Sequence, residues 1–86
     1  MTTQIDIDFL PAEGAVVRLI GLVERRGFAL EAMNYAPAST THRLSMTVRP
    51  RPGQRRIETL KAQIARTYGV TAVSERMAPP RLEAAS

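Results

Sequence analysis

Two short amphipathic stretches, each closed by a glycine and followed at once by a strand pattern, constrain what this chain can fold into more than any other feature. In the first, Val16, Leu19, Ile20 and Val23 recur at i, i+3, i+4 and i+7, a single stripe on a helix, while Arg18, Glu24 and Arg25 lie toward the opposite side. Arg25-Arg26-Gly27 ends it, with cations at the negative end of the helix dipole and a glycine able to turn left-handed. In the second, Ile57, Leu60 and Ile64 form the stripe, with Ala65 and Tyr68 as further members, and Gly69 supplies the stop. Each stripe needs an apolar cover, and the flanking segments are too short to be anything but strands.

The strands read directly. Ile5, Ile7 and Phe9 alternate with Asp6 and Asp8, and Leu10-Pro11 ends that run. Pro11 to Gly14 is then a loop whose free backbone N–H groups lead into the first helical turn. From Phe28, strict alternation places Phe28, Leu30, Ala32 and Asn34 on one face and Ala29, Glu31, Met33 and Tyr35 on the other. Met33 and Tyr35 would then be apolar on the solvent side, so this strand is expected to be covered on both faces or to lie at an interface. Ala36 to Thr41 is a turn. His42 to Arg49 alternates with Leu44, Met46 and Val48 inward and Arg43, Ser45, Thr47 and Arg49 outward, and Pro50 to Gly53 breaks it. Val70 to Ser74 is a last short strand. The order βαββαβ with right-handed crossovers predicts an α+β ferredoxin-like plait, a four-stranded antiparallel sheet with both helices on one face. One domain over residues 1–76 and a flexible tail over 77–86 are expected.

Composition narrows the function. With 86 residues the chain holds one small core, a size at which pairing with another chain is a natural way to bury more surface. There is no cysteine and one histidine, His42, so thiol chemistry and a cysteine or histidine metal set are excluded. No apolar run approaches a membrane span, and MTTQIDIDF is acidic where a signal peptide would be basic, so a cytoplasmic protein without membrane contact is expected. The net charge of +4 gathers partly at Arg49, Arg51, Arg55 and Arg56. The four aromatic residues, Phe9, Phe28, Tyr35 and Tyr68, do not form a base-stacking strand, so nucleic acid is not the expected partner. The basic turn reads instead as a solvated loop or a docking patch for an acidic partner. Asp6 and Asp8 share a strand face, but a catalytic carboxylate pair needs a concave site with unequal environments, so no enzymatic activity is expected of the chain itself.

The run EGAVVRLIGLVERRGFALEAMNYAPAS, followed by THRLSMTV and TYGVTAVSE, resembles the single ACT-domain small regulatory subunit of acetolactate (acetohydroxyacid) synthase over Gln4 to Glu75. Phe9-Leu10-Pro11, Arg25-Arg26-Gly27-Phe28 and Met33-Asn34 are the residues that suggest the isozyme II form. The resemblance implies a non-catalytic subunit that activates a thiamine-diphosphate-dependent large subunit in valine, leucine and isoleucine biosynthesis. It implies no cofactor on this chain, the catalytic partner being expected to use thiamine diphosphate, Mg and FAD. It also implies an amino-acid effector site between two ACT domains, at Pro11, Ala12, Glu13, Gly14 and Ala15 of one chain and Ala29 and Leu30 of its neighbour. A carboxylate there would meet free N–H groups around Gly14. The valine-responsive pattern has asparagines where this chain has Pro11 and Ala29. Losing two such hydrogen bonds, at about 1.5 to 3 kcal/mol each, weakens binding by roughly two to four orders of magnitude, so valine is not the expected effector.

Apolar Met33 and Tyr35 lead to the expectation of a homodimer joined sheet edge to sheet edge through the second strand. Docking on the large subunit is expected through Arg49, Arg51, Arg55 and Arg56, with the sheet face of Asp6, Asp8, Arg43 and Ser45 as the second candidate. The alternative reading is a stand-alone ACT-type amino-acid sensor with no enzyme partner.

Overall fold

The computed structural model describes residues 2–53 and 56–77. The elements are β1 (Thr3–Phe9), α1 (Ala15–Arg25), β2 (Phe28–Ala36), β3 (His42–Pro50), α2 (Ile57–Ala65) and β4 (Val70–Met77). The strands lie in the order β2-β3-β1-β4, every neighbouring pair antiparallel. Each helix therefore carries the chain over one intervening strand, which is the ferredoxin-like plait. In register, Ile5 faces Met46 and Ile7 faces Leu44. These four, with Val48 and Phe28, are buried against Leu19 and Val23 of α1 and Leu60 and Ile64 of α2. Because the inward strand residues share one parity, both helices cover the same face. Among the described residues no helix is long and apolar enough to cross a membrane.

The first helix ends as its sequence requires. The Arg26 N–H donates to the Leu22 carbonyl at 3.0 Å and the Gly27 N–H to Glu24 at 3.1 Å, and Gly27, at φ 90°, turns the chain into β2. The second helix ends earlier than its stripe suggests. The Thr67 N–H donates to the Ile64 carbonyl at 2.9 Å and its hydroxyl to the Gln63 carbonyl at 3.1 Å, closing the turn after Ala65. Ala65 is exposed, and Tyr68 is 93% exposed in the loop rather than on the apolar stripe.

The largest departure from the sequence pattern lies in β2. Leu30 pairs with Val48 but Ala32 pairs with Thr47, so a β-bulge at Glu31 inserts one residue and exchanges the faces of everything after it. Met33 pairs with Met46 and Tyr35 with Leu44, both core-facing partners. Met33 and Tyr35 thus lie on the helical side of the sheet with Phe28 and Leu30, and not on the open face that strict alternation gives them. Ala32 and Asn34 move to the open face. β4 also continues to Met77, three residues beyond the Ser74 boundary expected for it; residues 78–86, the rest of the expected tail, lie outside the described residues.

The open face of the sheet is a lattice of cross-strand ion pairs. Arg43 grips Asp8 through two bonds of 2.8 and 3.1 Å, Arg76 lies 3.4 Å from Asp6, and Arg49 reaches the bulge residue Glu31 at 2.5 Å. Asp6 is 8% exposed, and burial alone would raise its pKa. The Gln4 and Ser45 hydrogen bonds and the charges of Arg76 and Arg43 outweigh burial and hold it below the usual value. The Arg43 hydrogen bond does the same for Asp8. Depressed carboxylates of this kind contribute stability that is full above the unfolded-state pKa and is lost as pH falls through the folded-state values. Urea midpoints are therefore expected to be level above about pH 5 and to fall on the way to about pH 2. In Asp6→Asn/Asp8→Asn that acid limb should flatten, whereas an unchanged limb would show that these two pairs do not set it.

Candidate functional site

Where β1 stops, the chain has to cross from the sheet to the helical layer, and Pro11 forces the break by denying the ladder a donor. The Leu10 N–H donates to the Gly69 carbonyl at 2.7 Å, and the Thr71 hydroxyl to the Asp8 carbonyl at 3.1 Å, so the end of β1 is tied to the start of β4. The Ala15 N–H donates to the Ala12 carbonyl at 3.1 Å, closing the Pro11–Gly14 loop as a turn. Gly14 is the N-cap of α1 at φ 79°, and no side chain caps that helix end. One turn further on, Arg18 folds back so that Nη1 donates to the Glu13 carbonyl at 3.3 Å. A Cβ at Gly14 would stand 3.1 Å from that nitrogen, so both the backbone angle and the guanidinium favour glycine here.

These elements enclose a cavity of about 220 Å³ between the loop, the amino end of α1 and the turn before β4. Leu10, Pro11, Ala12, Leu19, Tyr68 and Val70 make most of its wall apolar, and Arg18 and Thr67 bring polar groups to it. It is smaller than the roughly 300 to 1,000 Å³ usual for drug-sized ligands and suits a molecule the size of an amino acid. The Arg18 guanidinium and the positive end of the α1 dipole both favour a carboxylate at the polar end.

Of the residues singled out in the sequence, Pro11, Ala12 and Ala15 line the cavity, while Glu13 and Gly14 shape the loop behind it. Ala29 and Leu30 are not brought to it within the chain. They pair with Arg49 and Val48, at the opposite end of the sheet from the Phe9–His42 pair that marks the cavity end. Arg18 and Tyr68 are cavity residues that the sequence reading assigned elsewhere, and Thr67 is one that it did not single out. No local pattern points to Arg18, whose place at the cavity follows from its folding back to the Glu13 carbonyl.

The basic turn is only partly available for docking. Arg49 is already neutralised by Glu31, whereas Arg51 and Arg56 are exposed; Arg55 lies outside the described residues. At the free edge of the sheet, Met33 and Tyr35 are 46% and 45% exposed on the side where the helices lie. The Tyr35 hydroxyl contacts His42 Nδ1, and the Tyr35 ring packs near Phe9 with centroids 6.3 Å apart.

An antiparallel βαββαβ plait with an amino-acid-sized cavity at the β1–α1 junction and a free apolar edge defines a small ligand-binding module of the ferredoxin-like class. Many solved structures share the fold, among them the following three. The C-terminal domain of the MgtC protein from Mycobacterium tuberculosis is 18% identical, over 90% of this chain and 86% of that one, with a TM-score of 0.72. The ACT domain of GTP pyrophosphokinase from Chlorobium tepidum is 12% identical, over 88% and 97%, with a TM-score of 0.73. Formyltetrahydrofolate deformylase from Burkholderia mallei is 14% identical, over 88% of this chain and 28% of that one, with a TM-score of 0.69. At such identities the likeness speaks for the fold alone. No curated protein gives a significant match. The family model described as the ACT domain matches residues 11–73, and the chain belongs to the ACT domain family. It is accordingly a regulatory module.

Proposed function

We propose that this chain is the regulatory small subunit of an acetolactate synthase, working as a dimer that docks on the thiamine-diphosphate-dependent large subunit and raises its activity. The observation that carries the regulatory reading is the cavity at the Pro11–Ala15 loop, apolar along its wall with the Arg18 guanidinium at its polar end. That chemistry fits an aliphatic amino-acid effector held through its carboxylate. The choice of acetolactate synthase rests on the run from Glu13 to Ser39, with THRLSMTV and TYGVTAVSE after it. Met33 and Tyr35, exposed on the edge strand β2, support the dimer, because an apolar edge strand is satisfied by a second copy.

The test is to titrate an acetolactate synthase large subunit with the chain and follow acetolactate formation. Activity is expected to rise and saturate, and the two chains to co-purify. A large subunit whose rate is unchanged at high micromolar chain would exclude this partner. The same cavity would also serve a second reading, the stand-alone amino-acid sensor. Calorimetry across the aliphatic amino acids, showing binding by a chain that activates no synthase, would select it.

A further inference from the structure

Charge is divided unevenly between the two layers of the molecule. Every arginine carried by a described strand has a carboxylate partner: Arg43 with Asp8, Arg49 with Glu31 and Arg76 with Asp6. On the helical layer, Lys61 of α2 is likewise held by Glu75 of β4 at 2.8 Å. Arg18, Arg25 and Arg66 behave differently. They line one open groove of about 290 Å³ between α1 and the end of α2, and among the described residues none of the three is ion-paired to a carboxylate. Arg18 and Arg25 are seven residues apart, so they project from one side of α1, roughly 10 Å apart along its axis. Half-buried Leu22 lies between them and lines the same groove, with Gln63 and Thr67 on the α2 side. Three like charges around one groove repel each other and gain from an opposite charge laid between them.

We propose that this groove is the docking site for an acidic, amphipathic segment of a partner protein, with carboxylates meeting Arg18, Arg25 and Arg66 and an apolar side chain resting on Leu22. The proposal rests on the reading of the chain as a module that acts through a partner, and it moves the contact from the basic turn to the helical layer. An apolar floor between arginines two helical turns apart matches a partner helix carrying acidic residues at the same spacing. A nucleic acid would instead call for a stacking ring, and none of the aromatic residues lines the groove.

The full chain, isotopically labelled, is titrated with a synthetic 18-residue helical peptide of glutamate and leucine in amphipathic order, and separately with an oligothymidylate of equal charge. The peptide is expected to shift the amide resonances of Leu22, Gln63 and Thr67. Arg18→Gln/Arg25→Gln/Arg66→Gln should weaken it about tenfold, since each exposed pair is worth about twofold in affinity. Arg51→Gln/Arg56→Gln, which removes charge elsewhere, should leave its affinity within about twofold. A peptide that leaves the groove resonances in place, that loses as much affinity to the turn variant, or that binds less tightly there than the oligothymidylate overturns the proposal. If the triple variant folds poorly, Arg25→Glu/Arg66→Glu is offered the matching lysine and leucine peptide. Binding in the groove supports the assignment and its absence overturns it. Titration of the synthase large subunit keeps the two readings apart. Activation by the wild-type chain with unchanged half-saturation by the triple variant overturns the groove alone, whereas peptide bound in the groove of a chain that activates no synthase overturns the choice of partner alone.

Discussion

Phe28→Ala is expected to lower the stability of the domain by about 3 to 5 kcal/mol and its midpoint of thermal unfolding by about 15 to 30 °C. Phe28 is the first residue of β2 and 2% exposed, and it packs in the same cluster as Val23, Val48 and Leu60. Its position is set from both sides. Gly27, at φ 90°, turns the chain so that the ring points inward, and the pairing of Phe28 with Pro50 holds the backbone at the start of the hairpin. A ring removed from such a site leaves a void that neighbouring strands cannot close without breaking their ladder. A domain of this size holds roughly 5 to 10 kcal/mol in all, so the loss amounts to a large share of it. Phe28→Leu, which keeps most of the volume, should cost about 1 kcal/mol. Unfolding is to be followed at one protein concentration, because association would add its own stabilisation. A loss below about 1 kcal/mol for Phe28→Ala would mean that the ring is not part of the packed interior.

Met33→Lys/Tyr35→Lys should raise the dissociation constant of the proposed dimer by about a thousandfold. Each of these side chains is nearly half exposed in the single chain, so covering the remainder is worth about 1 kcal/mol. A two-fold pair counts each residue twice, giving about 4 kcal/mol, or three orders of magnitude. The variant should leave the fold intact, since neither residue is among the buried core. Tyr35→Phe is the informative control. It removes the hydroxyl that contacts His42 and keeps the ring, and it should leave the self-association unchanged. Sedimentation velocity from low to high micromolar concentration decides the matter. Wild-type chain that stays monomeric throughout, or a double lysine variant that associates as well as wild type, removes β2 from the interface.

The legible part of this fold was the part in which local pattern and tertiary packing agree. Ile5, Ile7 and Phe9, and Leu44, Met46 and Val48, each alternate without interruption, and their registers follow. Leu19 and Val23 recur with the helical period and are buried. The failures share a cause, which is that one residue of offset is invisible to a periodic reading. Glu31 is a plausible member of an alternating strand, and nothing local says that it opposes no residue of β3. Tyr68 is at a helical spacing from Ile64, yet Thr67 has already closed the turn with its N–H and hydroxyl. In the candidate site, the Pro11–Gly14 loop could be read because proline and glycine act through the backbone. Arg18 could not, because its part depends on folding back to the Glu13 carbonyl beside a wall contributed by residues about fifty positions away. The groove arginines were hidden for the same reason, since Arg66 joins Arg18 and Arg25 only through the packing of α2 beside α1.

The extra residue at Glu31 makes the edge of this sheet two-sided in a sense that composition does not convey. Before it, the strand speaks to the core; after it, the same alternation addresses the opposite side, and the side chains that would have stood over the polar lattice stand at the helical margin instead. A related strand of the same length that paired without the bulge would keep Met33 and Tyr35 in the same order and present them to the other side of the sheet. Two such chains would look almost alike when aligned and yet be unable to share a partner at this edge, because identity of the surface residues would not be identity of the surface.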